Sequence, residues 1–454
     1  MKYFCNTMYF LLPSAHKNTM GGILKRYFLF SVFITVCLIL TCCKGAVHQA
    51  DTQSQGTSIT SAESYNSIDG SPTTINYAYI RGIWVSQFDM HYIYTDKGVQ
   101  RDKDSYTALV KTMLQNIKSD NFNTIYLQLR PNGDSMYSSE LYPVSRYVSG
   151  AYGRELTYDA VGIFIEEAHA LSLSVQGWIN PLRLMTENEL DAIDRSFLIK
   201  KWFSQKSNKV VEVNGRLYLN PAYEEVRKLI IDGASEIMER YDIDGIHMDD
   251  YFYPTTDKSF DEGEFLASGY DDIGKFRRNN INLLVKGLYE AVKAADNSAQ
   301  YGISPAGNLK SLLDYYYADV YLWCSVGGYI DYIMPQLYYG FLNKSCPFDK
   351  TLSDWAGVVT NPSVSLIIGL TAGKPVLATT GEIDVWAGTD EGKKEWINNK
   401  DILKRSLTAI YNEEKTNGYC FFCYQYLYDV ITGEPNAAFS QERDNIGELL
   451  YYYH

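Results

Sequence analysis

The chain has 454 residues, 46% of them hydrophobic, with 41 Lys and Arg against 54 Asp and Glu, a net charge of −13. That length suits one large α/β barrel with extensions, and the acidic balance excludes nucleic acid as a partner, because phosphate binding needs a basic face. Tyrosine is unusually common, with 39 copies; tyrosine and tryptophan pack an apolar face and keep a polar handle, which suits sugar rings.

From the N-terminus, Lys25 and Arg26 precede the apolar run FLFSVFITVCLIL, Phe28 to Leu40. The run is short for a bilayer span and follows a basic flank, so it reads as a signal peptide. It ends in LTCCKG, where a cysteine stands as in the acceptor site of bacterial lipoproteins. Cys43, with Leu40 three places before it, is the expected lipidation site, and Cys42 is the alternative. The expected organisation is a signal peptide over 1–43 (with Met20 as an alternative start), a polar tether over 44–76 and a folded domain over 77–454. This describes an exported protein of the cell envelope, held to a membrane only by its lipid anchor. Of eight cysteines, Cys5, Cys37, Cys42 and Cys43 lie in the leader. The others, Cys324, Cys346, Cys420 and Cys423, are too scattered for a disulfide framework. Cys420 and Cys423, three apart on a predicted strand, are expected on opposite faces as packed thiols.

After Tyr77, short apolar runs alternate with amphipathic stretches. RGIWVSQF, NTIYLQLR, LSVQGWIN, IDGIHMDD, QYGISPAG, DYIMPQLYYG, VSLIIGLTAG and GYCFFCYQY are predicted strands. SYTALVKTMLQNIKSD, YDAVGIFIEEAHAL, NPAYEEVRKLIIDGASEIMERY and GKFRRNNINLLVKGLYEAVKAAD are predicted helices, the third with Asn220 as N-cap and Pro221 at its first position. Another is expected from about Asn436 to Tyr453. No GxGxxG turn follows the first strand, so eight β/α units favour a (β/α)8 TIM barrel over an open doubly wound sheet. In such a barrel the site lies at the C-terminal ends of the strands.

Side chains alternate along a strand, so parity sorts them. On DGIHMDDY, Ile246 and Met248 should pack on the helices. His247, Asp249 and Tyr251 should face the barrel axis, with Asp250 at the rim. By the same rule Gln128 pairs with Arg130, Trp178 with Asn180, and Met334 with Gln336 and Tyr338. Carboxylates, an arginine, amides and aromatics at one rim describe a carbohydrate site. Asp249 and Asp250 are the candidate catalytic pair, since adjacent carboxylates raise one another's pKa and a nearby cation keeps one ionised. Gln128, Arg130, Trp178, Asn180, His247, Tyr251, Gln336 and Tyr338 are candidate substrate contacts. Arg183, Lys374 and Asp134 lie in predicted rim loops, as substrate contacts or surface charges. Trp84 and Trp178 are sugar platforms or core. With no HExxH and only six histidines, no metal or other cofactor is expected. A metal-dependent hydrolase remains the third alternative, after a barrel that binds carbohydrate without cleaving it.

RGIWVSQFD, FNTIYLQLRPNGDSMYSSELYP, GWINPLR, YDIDGIHMDDYFYP and YIMPQLYYG, in that order and spacing, resemble the glycosyl hydrolase-like 10 family. That group is similar to peptidoglycan glycosidases acting on denuded glycan strands. The resemblance, from about Arg81 onward, implies a TIM barrel and hydrolysis of a β-linked, N-acetylated amino-sugar glycan. More distantly, DGIHMDDY is similar to the DGxDxDxE strand of chitinase-like enzymes. His247 stands at the first inner Asp, Asp249 at the second and Tyr251 at the acid Glu, which implies that the proton donor lies elsewhere, with Asp250 a candidate. MPQLY is similar to their MxYD strand, which implies that Gln336 and Tyr338 hold an N-acetyl group.

Overall fold

A computed structural model describes residues 74–451 apart from residue 251. The leader, with Cys43 and Cys42, the tether up to residue 73 and the Tyr251 position lie outside the described residues; residues 74–76, expected as tether, are described, and the Ile75 N–H donates to Asp244 at 2.6 Å. All eight predicted strands are present: β1 (Ile80–Val85), β2 (Thr124–Arg130), β3 (Ser174–Ile179), β4 (Gly245–Met248), β5 (Gln300–Ile303), β6 (Tyr332–Ile333), β7 (Ser365–Thr371) and β8 (Thr416–Phe422). They pair in parallel and in sequence, and β8 returns to β1 to close the barrel. The sheet is thus the expected (β/α)8 barrel.

The helices that bear on the site are α1 (Gln87–Tyr94), α2 (Lys103–Ser119), α3 (Ala160–Ala170), α4 (Glu224–Arg240), α5 (Ile273–Ala295), α6 (Phe348–Val358), α7 (Ile402–Asn412) and α8 (Ser440–Leu450). α2, α4 and α5 each bury one apolar stripe, such as Val226, Leu229, Ile230 and Ile237 on α4, as their 3.6-residue periodicity requires. α4 starts later than its sequence predicts. Asn220 accepts from the Ala222 backbone at 3.0 Å, forming a local turn, and the helix begins only at Glu224 with Tyr223 as its cap. The short Asn side chain closed a turn on itself instead of capping.

The lumen is filled with rings rather than aliphatics. Trp84, Tyr126, Trp178, Tyr332 and Met334 form a buried cluster with Ile80, Ile367, Cys420 and Cys423, separate from the core beneath the helices. Gly302 on β5 makes room for it: a Cβ there would lie 2.2 Å from the Tyr332 ring. Both thiols sit in this one cluster, contrary to the expected opposite faces, because β8 ends at Phe422 and the chain turns before Cys423.

The loop after β4 is pinned by a fully buried ion pair. Arg277 on α5 reaches Asp261 at 2.6 Å, and neither side chain has any solvent exposure. The guanidinium also donates to Asp257 O at 2.6 Å and Thr255 O at 3.2 Å, and it lies over the Tyr253 and Tyr317 rings. A buried charge stripped of its partner is costly, so Asp261→Ala is expected to lower stability by about 3–5 kcal/mol. Chemical denaturation will measure this, and a loss below about 1 kcal/mol would contradict the assignment.

Candidate active site

At the C-terminal ends of β1 to β4, a line of amides leads to a carboxylate. Ser86 caps α1, accepting from the Phe88 and Asp89 backbone while the Asp89 carboxylate returns to the Ser86 N–H. This capping box leaves the Gln87 N–H free for a partner, and it donates to Gln128 Oε1 at 2.7 Å. Gln128 Nε2 then donates to Asn180 Oδ1 at 2.7 Å, and Asn180 Nδ2 donates to Asp249. A backbone N–H can only donate, so each amide has one possible orientation. Asp249, itself buried, is therefore always offered an N–H.

Asp250 is different. It is partly exposed at the rim, as parity predicts. Burial pushes its carboxyl up to about 6, against its own backbone N–H, the Gln336 amide and the charge of Arg183. The Gln336 amide also donates to Ser304 O at 3.0 Å, which ties the position of Asp250 to β5. Tyr338 is buried close to both carboxylates; burial raises its pKa first, and their charges raise it further. Trp178 lies in the lumen two residues below Asn180, and its buried indole N–H has no partner among the described residues.

Two predicted contacts are not at the mouth. His247 faces the axis as expected but is completely buried, with Asp249 above it. Trp84 Nε1, a donor only, approaches His247 Nε2 at 3.2 Å, and the Ser304 hydroxyl bonds the same nitrogen at 2.9 Å. Nδ1 therefore carries the proton and donates to the Tyr332 hydroxyl at 2.9 Å. Both nitrogens are used inside the protein, and burial pushes the pKa down to about 3. Arg130 leaves the lumen altogether. The register with β3 slips between Gln128 and Arg130, and this bulge reverses the alternation. Its guanidinium lies 4.5 Å over the Tyr142 ring and against α4, where a Cβ on Gly233 would overlap it. The cation near Asp250 is instead Arg183, in the loop after β3.

Of the remaining rim charges, Lys374 and Asp134 are internal ties rather than surface groups. Lys374 pairs with Asp384 at 2.6 Å, and Asp134 accepts the Asn132 N–H at 2.7 Å with no solvent exposure. Residues that sequence reasoning missed are Gln87, Asn132, Arg216 and Ser304. Asn132 donates to Gln87 Oε1 at 3.3 Å and accepts from Arg216 at 3.2 Å, so a second line of bonds braces the first. The capping-box spacing of Ser86 and Asp89 was the available signal for Gln87. Among the described residues, no three His, Cys, Asp or Glu side chains come together as a metal-ligand set.

Comparisons with known proteins identify the family. The sequence model of the glycosyl hydrolase-like 10 family matches residues 79–387. Glycosyl hydrolase YngK of Bacillus subtilis (strain 168) is 31% identical over 319 residues, 65% of this chain and 61% of that protein, so the match spans less than two thirds of that relative. Glycosyl hydrolase DigH of Escherichia coli (strain K12) is 26% identical over 372 residues, covering 74% of this chain and 84% of that one. Among solved structures, the PgaB (BpsB) glycoside hydrolase domain from Bordetella bronchiseptica superposes with a TM-score of 0.52 at 11% identity, over 82% of this chain and 98% of that one. That last likeness is one of fold. The chain belongs to the glycosyl hydrolase-like 10 family.

The protonation of His247 can be read directly. In isotope-labelled protein its ring should show the Nδ1–H tautomer and should not titrate between about pH 5 and 8; a ring that protonates in that range would contradict the lumen assignment. The unfolded pKa is about 6.5 and the folded one lower, so the stabilisation from this group is complete above about pH 6.5. It is lost as pH falls toward about 3.

Proposed function

We propose that the domain is a glycoside hydrolase that cleaves a β-linked amino-sugar glycan, such as denuded peptidoglycan strands, by acid catalysis at the Asp249–Asp250 rim. One observation carries this reading: next to a carboxylate held by the amide relay stands a second carboxylate whose pKa burial raises to about 6. Asp249 receives the end of the amide relay and serves in this reading as the stabilising carboxylate. Burial holds the Asp250 pKa near 6, so a useful fraction is protonated near neutrality. Glycoside hydrolysis needs this division, an acid to protonate the leaving oxygen and a carboxylate to stabilise the oxocarbenium-like centre. In this scheme Asp250 gives its proton to the glycosidic oxygen as the C–O bond breaks, Asp249 stabilises the positive charge that grows at the anomeric carbon, and a water adds to that carbon, its released proton restoring the acid. The Trp178 N–H and the Tyr338 and Gln336 side chains supply polar groups for an acetamido substituent. The names of the YngK and DigH relatives support the reaction class. The apolar run before Cys43 supports export and lipid anchoring, with the barrel at the cell envelope.

Asp250→Asn and Asp249→Asn are each expected to lower kcat by about 10²–10⁴-fold, measured as reducing-end release from denuded peptidoglycan strands by the Tyr77–His454 domain. Full activity in either variant would sink the assignment. Glycan binding by the wild type without release of reducing ends would point to the carbohydrate-binding alternative. Because the acid acts in its protonated form, kcat/KM should fall as pH rises through about 6. Arg183 lowers the Asp250 pKa, so Arg183→Ala should move that fall to higher pH; a shift downward would contradict the proton-donor role.

A further inference from the structure

The loops after β6 and β7 carry a feature that the proposed reaction does not use. Ile383, Val385 and Trp386 are exposed, Trp386 with 47% of its surface, and Leu342 in the preceding loop is 50% exposed. The loops are laced together: Lys344 N donates to Ala387 O at 2.8 Å, and the Thr389 hydroxyl reaches Leu342 O at 3.4 Å. Exposed apolar side chains gathered on neighbouring loops mark an interaction site where scattered single ones do not.

Here two buried carboxylates hold the backbone that displays them. Asp384 pairs with Lys374 at 2.6 Å and accepts the Trp386 N–H at 3.2 Å. Glu395, 2% exposed, accepts the Phe341 and Leu342 N–H groups at 2.9 and 2.8 Å. Lys374 also donates to Tyr338 O. The clamp behind Trp386 is thus bonded to the backbone that carries Tyr338 beside Asp249 and Asp250.

We propose that Trp386, with Leu342 and Val385, is a stacking platform for the glycan strand where it runs beyond the cleaved bond, a distal subsite on the β6–β7 side of the mouth. This rests on the hydrolase reading above. An indole offers a rigid flat face at little entropic cost, which matches the C–H face of a pyranose ring. A polymer necessarily overhangs the bond being cut, and the platform is continuous with the site through Lys374. The net charge of −13 disfavours an anionic lipid surface as the occupant.

The test compares the full chain with its Trp386→Ala and Trp386→Phe variants on denuded strands of graded length. In the wild type kcat/KM should rise with chain length. Trp386→Ala should cut the ratio of long-strand to short-oligosaccharide kcat/KM about tenfold, mainly through KM, and Trp386→Phe should restore most of it. An unchanged ratio overturns the platform. If the wild type cleaves no strand, the hydrolase reading fails separately, and the platform is judged by retention on insoluble denuded peptidoglycan, where equal retention of wild type and Trp386→Ala overturns it. Capture by anionic phospholipid vesicles that depends on Trp386, in place of glycan binding, also overturns it.

Discussion

The site depends on a single donor, the backbone N–H of Gln87. Its bond to Gln128 Oε1 fixes the Gln128 amide, which fixes Asn180, which presents an N–H to Asp249. Two amides that could each flip have one arrangement, because the first donor belongs to a helix turn and cannot reverse. The line crosses the ends of β1, β2, β3 and β4, so correct pairing of half the barrel is a condition for the placement of one carboxylate. Buried polar groups are worth most when every member is satisfied, and this line is satisfied at each step.

The lumen below follows the same electrostatic logic. Where the chitinase-like pattern carries an inner aspartate, this chain has His247. A carboxylate there would be buried directly under Asp249 and would repel it. A neutral imidazole, held by Trp84, Ser304 and Tyr332, fills the space without adding charge. Tyr126 and Tyr332 serve here as rings with a polar end, filling the barrel lumen while Tyr332 still bonds the imidazole. Gly302 is the complement, since the Tyr332 ring occupies the space of its missing side chain.

Much of this was legible in the sequence. The eight strands follow from their apolar runs, and parity correctly sent His247 and Asp249 inward and left Asp250 at the rim. Parity fails wherever the pleat is interrupted. One extra residue at the bulge sent Arg130 to the helix side, and Cys423 lies beyond the end of β8. Neither interruption has a residue signature in those segments. Arg216, on a short ribbon of residues 210–219, reaches Asn132 across 84 positions, a contact that depends on loop geometry rather than on local pattern. The Asn220 turn shows the reverse case, where a short-range side-chain bond overrode a good capping position.

The rim itself is stiff, and that stiffness has a chemical consequence. The Arg277–Asp261 pair holds the chain just after Asp250, while Lys374–Asp384 and Glu395 hold the loops after β6 and β7. Burial is the main reason the Asp250 pKa is raised, and burial lasts only as long as the loops around it stay closed. Were those loops to open, water would reach Asp250 and its pKa would drift back toward that of a free carboxylate. Buried ion pairs contribute little net stability compared with apolar packing. Their effect here is to fix the geometry of the loops at the rim where Asp250 stands.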